Sequence, residues 1–264
     1  MKTYSNVIAL TKNARGIYSI DPTAGCYSGT KNNKLGCYND CYAARIAKIY
    51  GYNFSKTVIK NFTSQKHLDK IKREISKVKM PFIRMGTMGD PSEDWEHTIL
   101  ICEKIQSNIQ LDIFKEDSRK EIVIITKHWT VLTDDQLKRI SKLKICINTS
   151  VSAIDDKSQL DLCLNEYERI KPYCKSILRV VSFDFNTDSN DGKTFSEIQA
   201  QIFNKYEVLD TVFRSSKNNQ LVKSGVINIH KTKFLGKKTY VSKFNKKTYF
   251  GNCKNCLEMC GVNM

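Results

Sequence analysis

Short runs of apolar, β-branched residues recur along the chain, and each is followed by a segment with apolar residues at three- and four-residue spacing. The runs are nearly continuous rather than alternating, which is typical of strands buried on both faces. We expect strands at residues 16–20, 81–87, 121–127, 144–152, 176–183 and 225–230. Several helical segments open on Ser, Thr or Asp, which cap helix N-termini. We expect helices directly after Cys41 and at residues 92–109, 133–143, 155–173 and 194–206.

Strands that alternate with helices predict parallel βαβ units, whose right-handed crossovers curl the sheet toward an open sheet or a barrel. About six such units are too few for a complete eight-stranded barrel. We expect an α/β fold with one domain over residues 1–250 and a cysteine-bearing tail, residues 251–264, that closes on the same domain by covering the mouth at the carboxyl ends of its strands. Residues 186–193, NTDSNDGK, are expected to form a loop.

Cysteine usage adds chemistry to this picture. A chain of 264 residues buries a sizeable core without metals, so stability alone does not explain its ten cysteines. There is no apolar run of about 18 residues and no secretory leader, so we expect a cytoplasmic protein that does not enter a membrane. In a reducing cytosol, clustered cysteines are more often metal ligands or catalytic thiols than disulfides. Four isolated cysteines are expected to be plain buried side chains: Cys102, Cys146, Cys163 and Cys174.

The formal net charge of +16 is compatible with a nucleic-acid partner, because a basic surface attracts phosphates. The excess is mostly lysine, spread along the chain beside Asn and Ile, which an AT-rich genome also produces. The densest block, residues 230–250, interleaves Lys with Tyr and Phe. It fits either a polyanion-binding surface or a solvated hairpin edge protected by lysines.

Polar and glycine residues follow several predicted strands, at the end where loops converge and ligands bind in parallel α/β folds. The glycines and acid of MGTMGDP (85–91) follow the second strand, and Thr126 and Lys127 end the third. Ser150 and Arg179 lie in the fourth and fifth. MGTMGDP also fits an ordinary turn in which Asp90 or Ser92 caps the next helix, and Lys127 also fits a solvated strand end.

Cys26, Cys37 and Cys41 crowd into GCYSGTKNNKLGCYNDCYAAR (25–45). A structural zinc site normally has four protein ligands, and nothing adjacent supplies a fourth. A [4Fe-4S] cluster with only three protein ligands leaves one iron open to a substrate or cofactor. A cluster, a zinc ion with a remote fourth ligand and unligated thiols are all compatible with the spacing.

Three cysteines on one loop after the first strand of a partial barrel is the arrangement of radical S-adenosylmethionine (SAM) enzymes. The chain resembles the radical SAM superfamily, and looks most like its spore photoproduct lyase-like branch and phage-borne families whose cysteine loop ends in Cys-Tyr-Ala. This implies a partial (βα)6 barrel. The usual spacing is CxxxCxxC, whereas this loop reads C-x10-C-x3-C. The matching segments are residues 25–26, 36–45, 85–91, 122–140 and 147–155.

The resemblance implies a role for each matching residue. Cys26, Cys37 and Cys41 would ligate a [4Fe-4S] cluster, and Tyr42 would pack beside it. Gly86, Gly89 and Asp90 would receive the methionyl amine of SAM. A second group would hold the carboxylate or ribose of SAM, or orient the substrate: Thr126, Lys127, Ser150 and Arg179.

The implied activity is reductive cleavage of SAM to a 5′-deoxyadenosyl radical that abstracts hydrogen from a substrate. Such an enzyme needs an electron donor such as flavodoxin or ferredoxin. The basic charge and the lyase-like resemblance favour a nucleotide or nucleic acid as substrate. The alternative is a zinc-containing nucleic-acid-binding protein without catalysis.

The tail carries a second cysteine group, Cys253, Cys256 and Cys260, spaced C-x2-C-x3-C. This spacing lets three sulfurs point inward from a tight turn, so we expect a metal site there. The metal could be an auxiliary iron–sulfur cluster, as in many radical SAM enzymes, or zinc with a fourth ligand from elsewhere.

Overall fold

The computed structural model describes residues 1–32, 41–107 and 119–264. Cys37 lies outside these residues. The described chain is a mixed α/β structure with a nine-stranded sheet in the order β1-β2-β5-β6-β7-β8-β9-β11-β10, and a separate pair, β3-β4. The strands are β1 (Thr11–Lys12), β2 (Tyr18–Ser19), β3 (Thr23–Ala24), β4 (Val58–Ile59), β5 (Phe82–Met85), β6 (Glu121–Thr126), β7 (Ile145–Val151), β8 (Lys175–Ser182), β9 (Val208–Ser215), β10 (His230–Phe234) and β11 (Lys237–Ser242).

Six neighbouring strands, β2 and β5 to β9, are parallel and follow one another in chain order. This confirms the expected α/β class with a mostly parallel sheet. Five of the predicted strands coincide with β2, β5, β6, β7 and β8. The sixth prediction is wrong, because residues 225–229 form no strand and the sixth parallel strand is β9. Val226 and Ile227 are apolar because they are buried beside Phe185 outside the sheet.

Helices lie between the parallel strands as expected. Their starts are set by local capping, as where Thr133 and Gln136 form a capping box. Residues 190–193 belong to a helix capped by Ser189, so only the first half of the expected loop 186–193 is non-helical. The helices are α1 (Tyr27–Asn32), α2 (Tyr42–Tyr50), α3 (Gln65–Ser76), α4 (Trp95–Gln106), α5 (Asp134–Ile140), α6 (Lys157–Ile170), α7 (Asn190–Lys205) and α8 (Gln220–Lys223).

The sheet has two buried faces, because alternate residues of a strand point to opposite sides. On the outer face, Ile83, Ile124 and Ile147 share a core with Ile99 of α4 and Leu137 of α5. The inner face forms a core of its own. The side chains of this core come from strands that are up to four places apart in the sheet, and they can meet only because the sheet curls around a lumen. This inner core contains Ile17, Phe82, Val123, Cys146, Ile177, Leu209 and Cys253.

Residues 251–264 pack into the amino half of this lumen. Met259 and Val262 join the inner core, the Asn148 side-chain amide donates to the Cys260 carbonyl at 2.9 Å, and Lys175, the first residue of β8, donates to the Val262 carbonyl at 2.8 Å. The sequence predicts instead that the tail covers the carboxyl-end mouth. The apolar side chains of the tail account for the difference, since burial in the floor of the lumen removes them from water.

The lysine-rich block forms the antiparallel hairpin β10-β11 at the edge of the sheet, with Lys231, Lys233, Lys237 and Lys238 exposed. Lysines on an edge strand oppose pairing with other chains. None of the helices in the described residues is long and apolar enough to cross a membrane.

A pair of glycine substitutions tests the placement of the tail. Gly261 and Gly236 have φ of +89° and +78°, so alanine at either position pays for a left-handed backbone, about 1–2 kcal/mol. Only at Gly261 would the added carbon also meet a neighbour, Ile177 Cγ1, at 2.7 Å. We expect Gly261→Ala to lower the melting temperature clearly more than Gly236→Ala. Equal losses would contradict a tail packed inside the lumen.

Candidate functional site

A cavity of about 200 Å³ lies at the carboxyl ends of β5, β6 and β7. Its lining comes from segments that are far apart in the sequence, and these are the segments that carry the predicted motifs. Seven of the eight expected cofactor residues line it, and Arg179 does not. The expected residues at this cavity are Cys26, Cys41, Tyr42, Gly86, Gly89, Asp90, Thr126, Lys127 and Ser150.

Cys26 is buried between β3 and α1, and its thiol lies 3.5 Å from Glu93 Oε1. The same carboxylate accepts hydrogen bonds from the Ser28 amide at 2.8 Å and from the Thr57 hydroxyl at 2.9 Å. Burial, followed by the charges of Asp90 and Glu93, raises the pKa of the Cys26 thiol far above its ordinary value. Cys26 is therefore a neutral thiol by itself, and a thiol of this kind would bind a metal only with loss of its proton.

Cys41 precedes α2 and lies in the same small core as Cys26, with Phe54 and Trp129. Among residues 1–32, 41–107 and 119–264, no three His, Cys, Asp or Glu side chains are grouped closely enough to hold a metal ion. The cavity therefore contains two of the three expected cluster ligands, and the third, Cys37, is in the segment outside the described residues. The ligand set stays a prediction.

The cysteine segment and the glycine loop are fixed to each other through their backbones. The Gly25 amide donates to the Met88 carbonyl at 2.8 Å, and Gly25 and Gly89 form a parallel bridge. A side chain at Gly89 would begin 2.7 Å from the Gly25 carbonyl oxygen, and one at Gly86 would begin 2.3 Å from that of Ile125. These glycines are therefore needed for close packing of protein backbone.

Two buried carboxylates hold the glycine loop. Asp21 accepts hydrogen bonds from the amides of Gly86, Thr87 and Met88 at 2.9 to 3.1 Å. Sequence reasoning missed Asp21, which looks like an ordinary residue after a short strand.

Asp90 binds within the protein through both oxygens. It accepts from the amide and hydroxyl of Ser92, from Thr126 Oγ1 and from the Lys127 amide, at 2.7 to 2.9 Å. It thus caps the turn Pro91–Asp94 and ties it to the end of β6. The capping explanation of MGTMGDP is confirmed, and Asp90 has no oxygen that is free of these internal bonds. Its expected contact with a cofactor amine stays a prediction that requires these bonds to rearrange.

Lys127 is buried and its ammonium is paired with Asp155, so it is not a solvated strand end. Next to it, His128 is fully buried with φ of +51°, and burial lowers its pKa to about 3. His128 Nε2 lies 2.9 Å from the Thr149 hydroxyl. The ion pair of Lys127 and the contact between His128 and Thr149 thus stabilise the ends of β6 and β7 next to the cavity.

Two polar atoms at the cavity have no hydrogen-bond partner in the part of the chain that the structure describes. They are the Thr87 hydroxyl and the Trp129 indole N–H, both buried. Leaving such groups unpaired is unfavourable by about 1–3 kcal/mol each, so they favour a polar ligand. Their orientation could not be predicted from the sequence, although both lie in segments that carry the motifs.

A larger cavity of about 330 Å³ inside the lumen adjoins the small one, and Cys41, Tyr42, Lys127 and Ser150 line both. Arg179 lines the larger cavity, together with Cys253, Cys256 and Cys260. The three tail cysteines therefore face the same space as the cofactor residues.

The tail cysteines sit on a constrained turn. Met259, Cys260 and Gly261 all have positive φ, and Cys256 Sγ donates to Glu258 Oε2 at 3.1 Å. Burial, with the hydrogen bond to Glu258, raises the pKa of Cys256 to about 11. The three sulfurs are not grouped as a metal site in the described residues, so metal binding by the tail stays a prediction.

The four isolated cysteines behave as expected in the main. Cys102, Cys146 and Cys163 are buried, and Cys174 is half-buried against the outer core.

Comparisons of the chain with protein-family models, with curated proteins and with solved structures find no match.

The buried ion pair provides a test of what Lys127 does. Removing one member of such a pair leaves an uncompensated charge and is unfavourable by about 3–5 kcal/mol. We expect Lys127→Met to lower the melting temperature strongly, and Lys127→Met with Asp155→Asn to recover much of the loss, since asparagine can still accept the hydrogen bond of 2.7 Å from the Ser152 amide. If the second change gives no recovery, the pair does not stabilise the strand ends.

Proposed function

We propose that this protein is a radical SAM enzyme whose partial (βα)6 barrel holds a [4Fe-4S] cluster at the smaller cavity, with SAM extending from it toward the larger one. One observation carries the proposal: Cys26, Cys41, the glycine loop and the ends of β6 and β7 line a single cavity that adjoins the cavity of the lumen. The ordered parallel strands are compatible with such a barrel. The resemblance in the cysteine loop supplies the identity of the cofactors.

The residues at the cavity suit these groups. Cys26, Cys37 and Cys41 would supply three thiolates, and the unpartnered Thr87 hydroxyl and Trp129 indole N–H would bind polar atoms of SAM. When bound, the cluster and SAM supply one-electron reductive cleavage to a 5′-deoxyadenosyl radical. An external donor such as flavodoxin or ferredoxin would provide the electron.

The chain's own contribution is position and exclusion of water. Phe54 and Trp129 pack around Cys26 and Cys41, which keeps the ligand sulfurs dry. Asp21 and Asp90 fix the glycine loop, and the bridge between Gly25 and Gly89 holds it against the cysteine segment, so this loop is in place before a substrate arrives. The lumen below Ser150 would receive the substrate, adjacent to the site where the radical forms.

Anaerobic chemistry tests the proposal. Protein purified without oxygen should be brown, with about four irons at the N-terminal site. With dithionite and SAM it should release 5′-deoxyadenosine, detected by mass spectrometry. Cys26→Ala and Cys41→Ala should each abolish the product, whereas the matched Cys174→Ala, which removes a cysteine from the outer core, should not.

A colourless protein with stoichiometric zinc would contradict the proposal and favour a zinc-containing nucleic-acid-binding protein. Metal analysis of a variant in which Ser replaces Cys253, Cys256 and Cys260 distinguishes metal bound by the tail from metal bound by the N-terminal cysteines. Loss of iron or of zinc in that variant would identify the metal of the tail.

A further inference from the structure

The larger cavity is unusually rich in arginine. Its lining includes five arginines but only two carboxylates. It also includes Lys127, whose ammonium is already paired with Asp155. The carboxylates are Asp210 and Glu258. The arginines are Arg15, Arg45, Arg84, Arg179 and Arg214.

None of these five arginines forms an ion pair within the described residues. Arg84 Nε is buried without any hydrogen-bond partner there. Burial, together with the smaller effect of the nearby Arg84 charge, lowers the pKa of Arg179 to about 10, while Cys260 acts against this. Unpaired cations that converge in a partly buried space are unfavourable unless an anion joins them.

Few groups of the described lining offset these positive charges. The two carboxylates of the lining, Asp210 and Glu258, oppose five arginines, and neither forms an ion pair with them within the described residues. One oxygen of Asp210 accepts from the Thr248 hydroxyl, and the other is buried without a hydrogen-bond partner there. The excess positive charge therefore needs a ligand from outside the described residues.

Aromatic rings share the cavity with the arginines. Phe234 and Phe250 are stacked with ring centroids 4.6 Å apart, and the guanidinium groups of Arg15 and Arg214 each lie 5.9 Å from the Phe234 centroid. Rings and guanidinium planes are the surfaces on which nucleobases stack. A volume of about 330 Å³ is at the small end for ligand pockets, which suits a single nucleotide and excludes a duplex.

We propose that the lumen binds one nucleotide, with a phosphate neutralising Arg84 and Arg179 and the base against Phe234 and Phe250. This names the substrate class of the proposed radical enzyme and in that sense rests on the proposed function. Binding itself needs neither the cluster nor SAM. Arginine suits this task because its planar donors match phosphate oxygens.

Equilibrium binding of matched ligands tests the proposal on the full anaerobically purified chain. The probes are the four common nucleosides, their 5′-monophosphates and inorganic phosphate as competitor. At least one monophosphate should bind about 10-fold or more tightly than its own nucleoside, since charge-assisted bonds to phosphate contribute about 1.5–3 kcal/mol. Arg84→Gln and Arg179→Gln should each remove most of this preference.

Arg73→Gln is the matched control, because it deletes an exposed arginine on α3, away from the lumen. It should leave the phosphate preference unchanged. Without ligand, Arg84→Gln and Arg179→Gln should keep or raise the melting temperature, because each removes an unpaired charge. A purely structural arginine would instead lower it.

The proposal is overturned if no monophosphate is preferred over its nucleoside, or if Arg73→Gln loses as much preference as the lumen variants. A 5′-phosphorylated dinucleotide distinguishes the source: tighter binding than the mononucleotide indicates a strand end, and weaker binding indicates a free nucleotide. Failure of the radical reaction alone would appear as missing 5′-deoxyadenosine with the phosphate preference intact.

Discussion

The candidate site depends on one close approach of two backbones. Gly25 and Gly89 lie side by side in a parallel bridge, and neither position has room for a β-carbon: at Gly25 it would stand 2.2 Å from the Lys56 carbonyl oxygen. This contact places Cys26 against the loop that follows β5. Asp21, just after β2, accepts from the amides of the same loop, and Asp90, within the loop, accepts from Thr126 at the end of β6, so three separate segments of the chain are fixed relative to one another.

Much of the fold can be predicted from the local pattern of apolar residues. The parallel strand that this pattern missed has a physical explanation. Runs such as EIVIITK are apolar because both faces of the strand are buried, and these runs coincide with β6, β7 and β8. The last parallel strand, VLDTVFRS, is not such a run, because Asp210, Thr211 and Arg214 line the lumen. A strand that faces a polar cavity does not show the apolar signal that identifies a buried one.

The location of the candidate site could be predicted from the sequence about as well as the fold. Spacing and position after a strand identified the segments that meet at the smaller cavity, because the carboxyl ends of parallel strands converge. The function of an individual side chain was not predictable in the same way. Asp90 makes its bonds within the protein, and the orientation of Arg84 into the lumen depends on how the sheet curls. Contacts of this kind depend on the three-dimensional arrangement of distant segments, so the spacing of residues in the sequence does not predict them.

Tyr42 connects helix α2 to β9, the last strand of the parallel run. It follows Cys41 on α2, and its ring lies 4.9 Å from the guanidinium carbon of Arg214 on β9. The helix that begins at the cysteine loop is thereby held to the strand on the far side of the lumen. An anion that draws Arg214 toward itself competes with this contact, so occupancy of the lumen and the position of Cys41 are energetically coupled through one side chain.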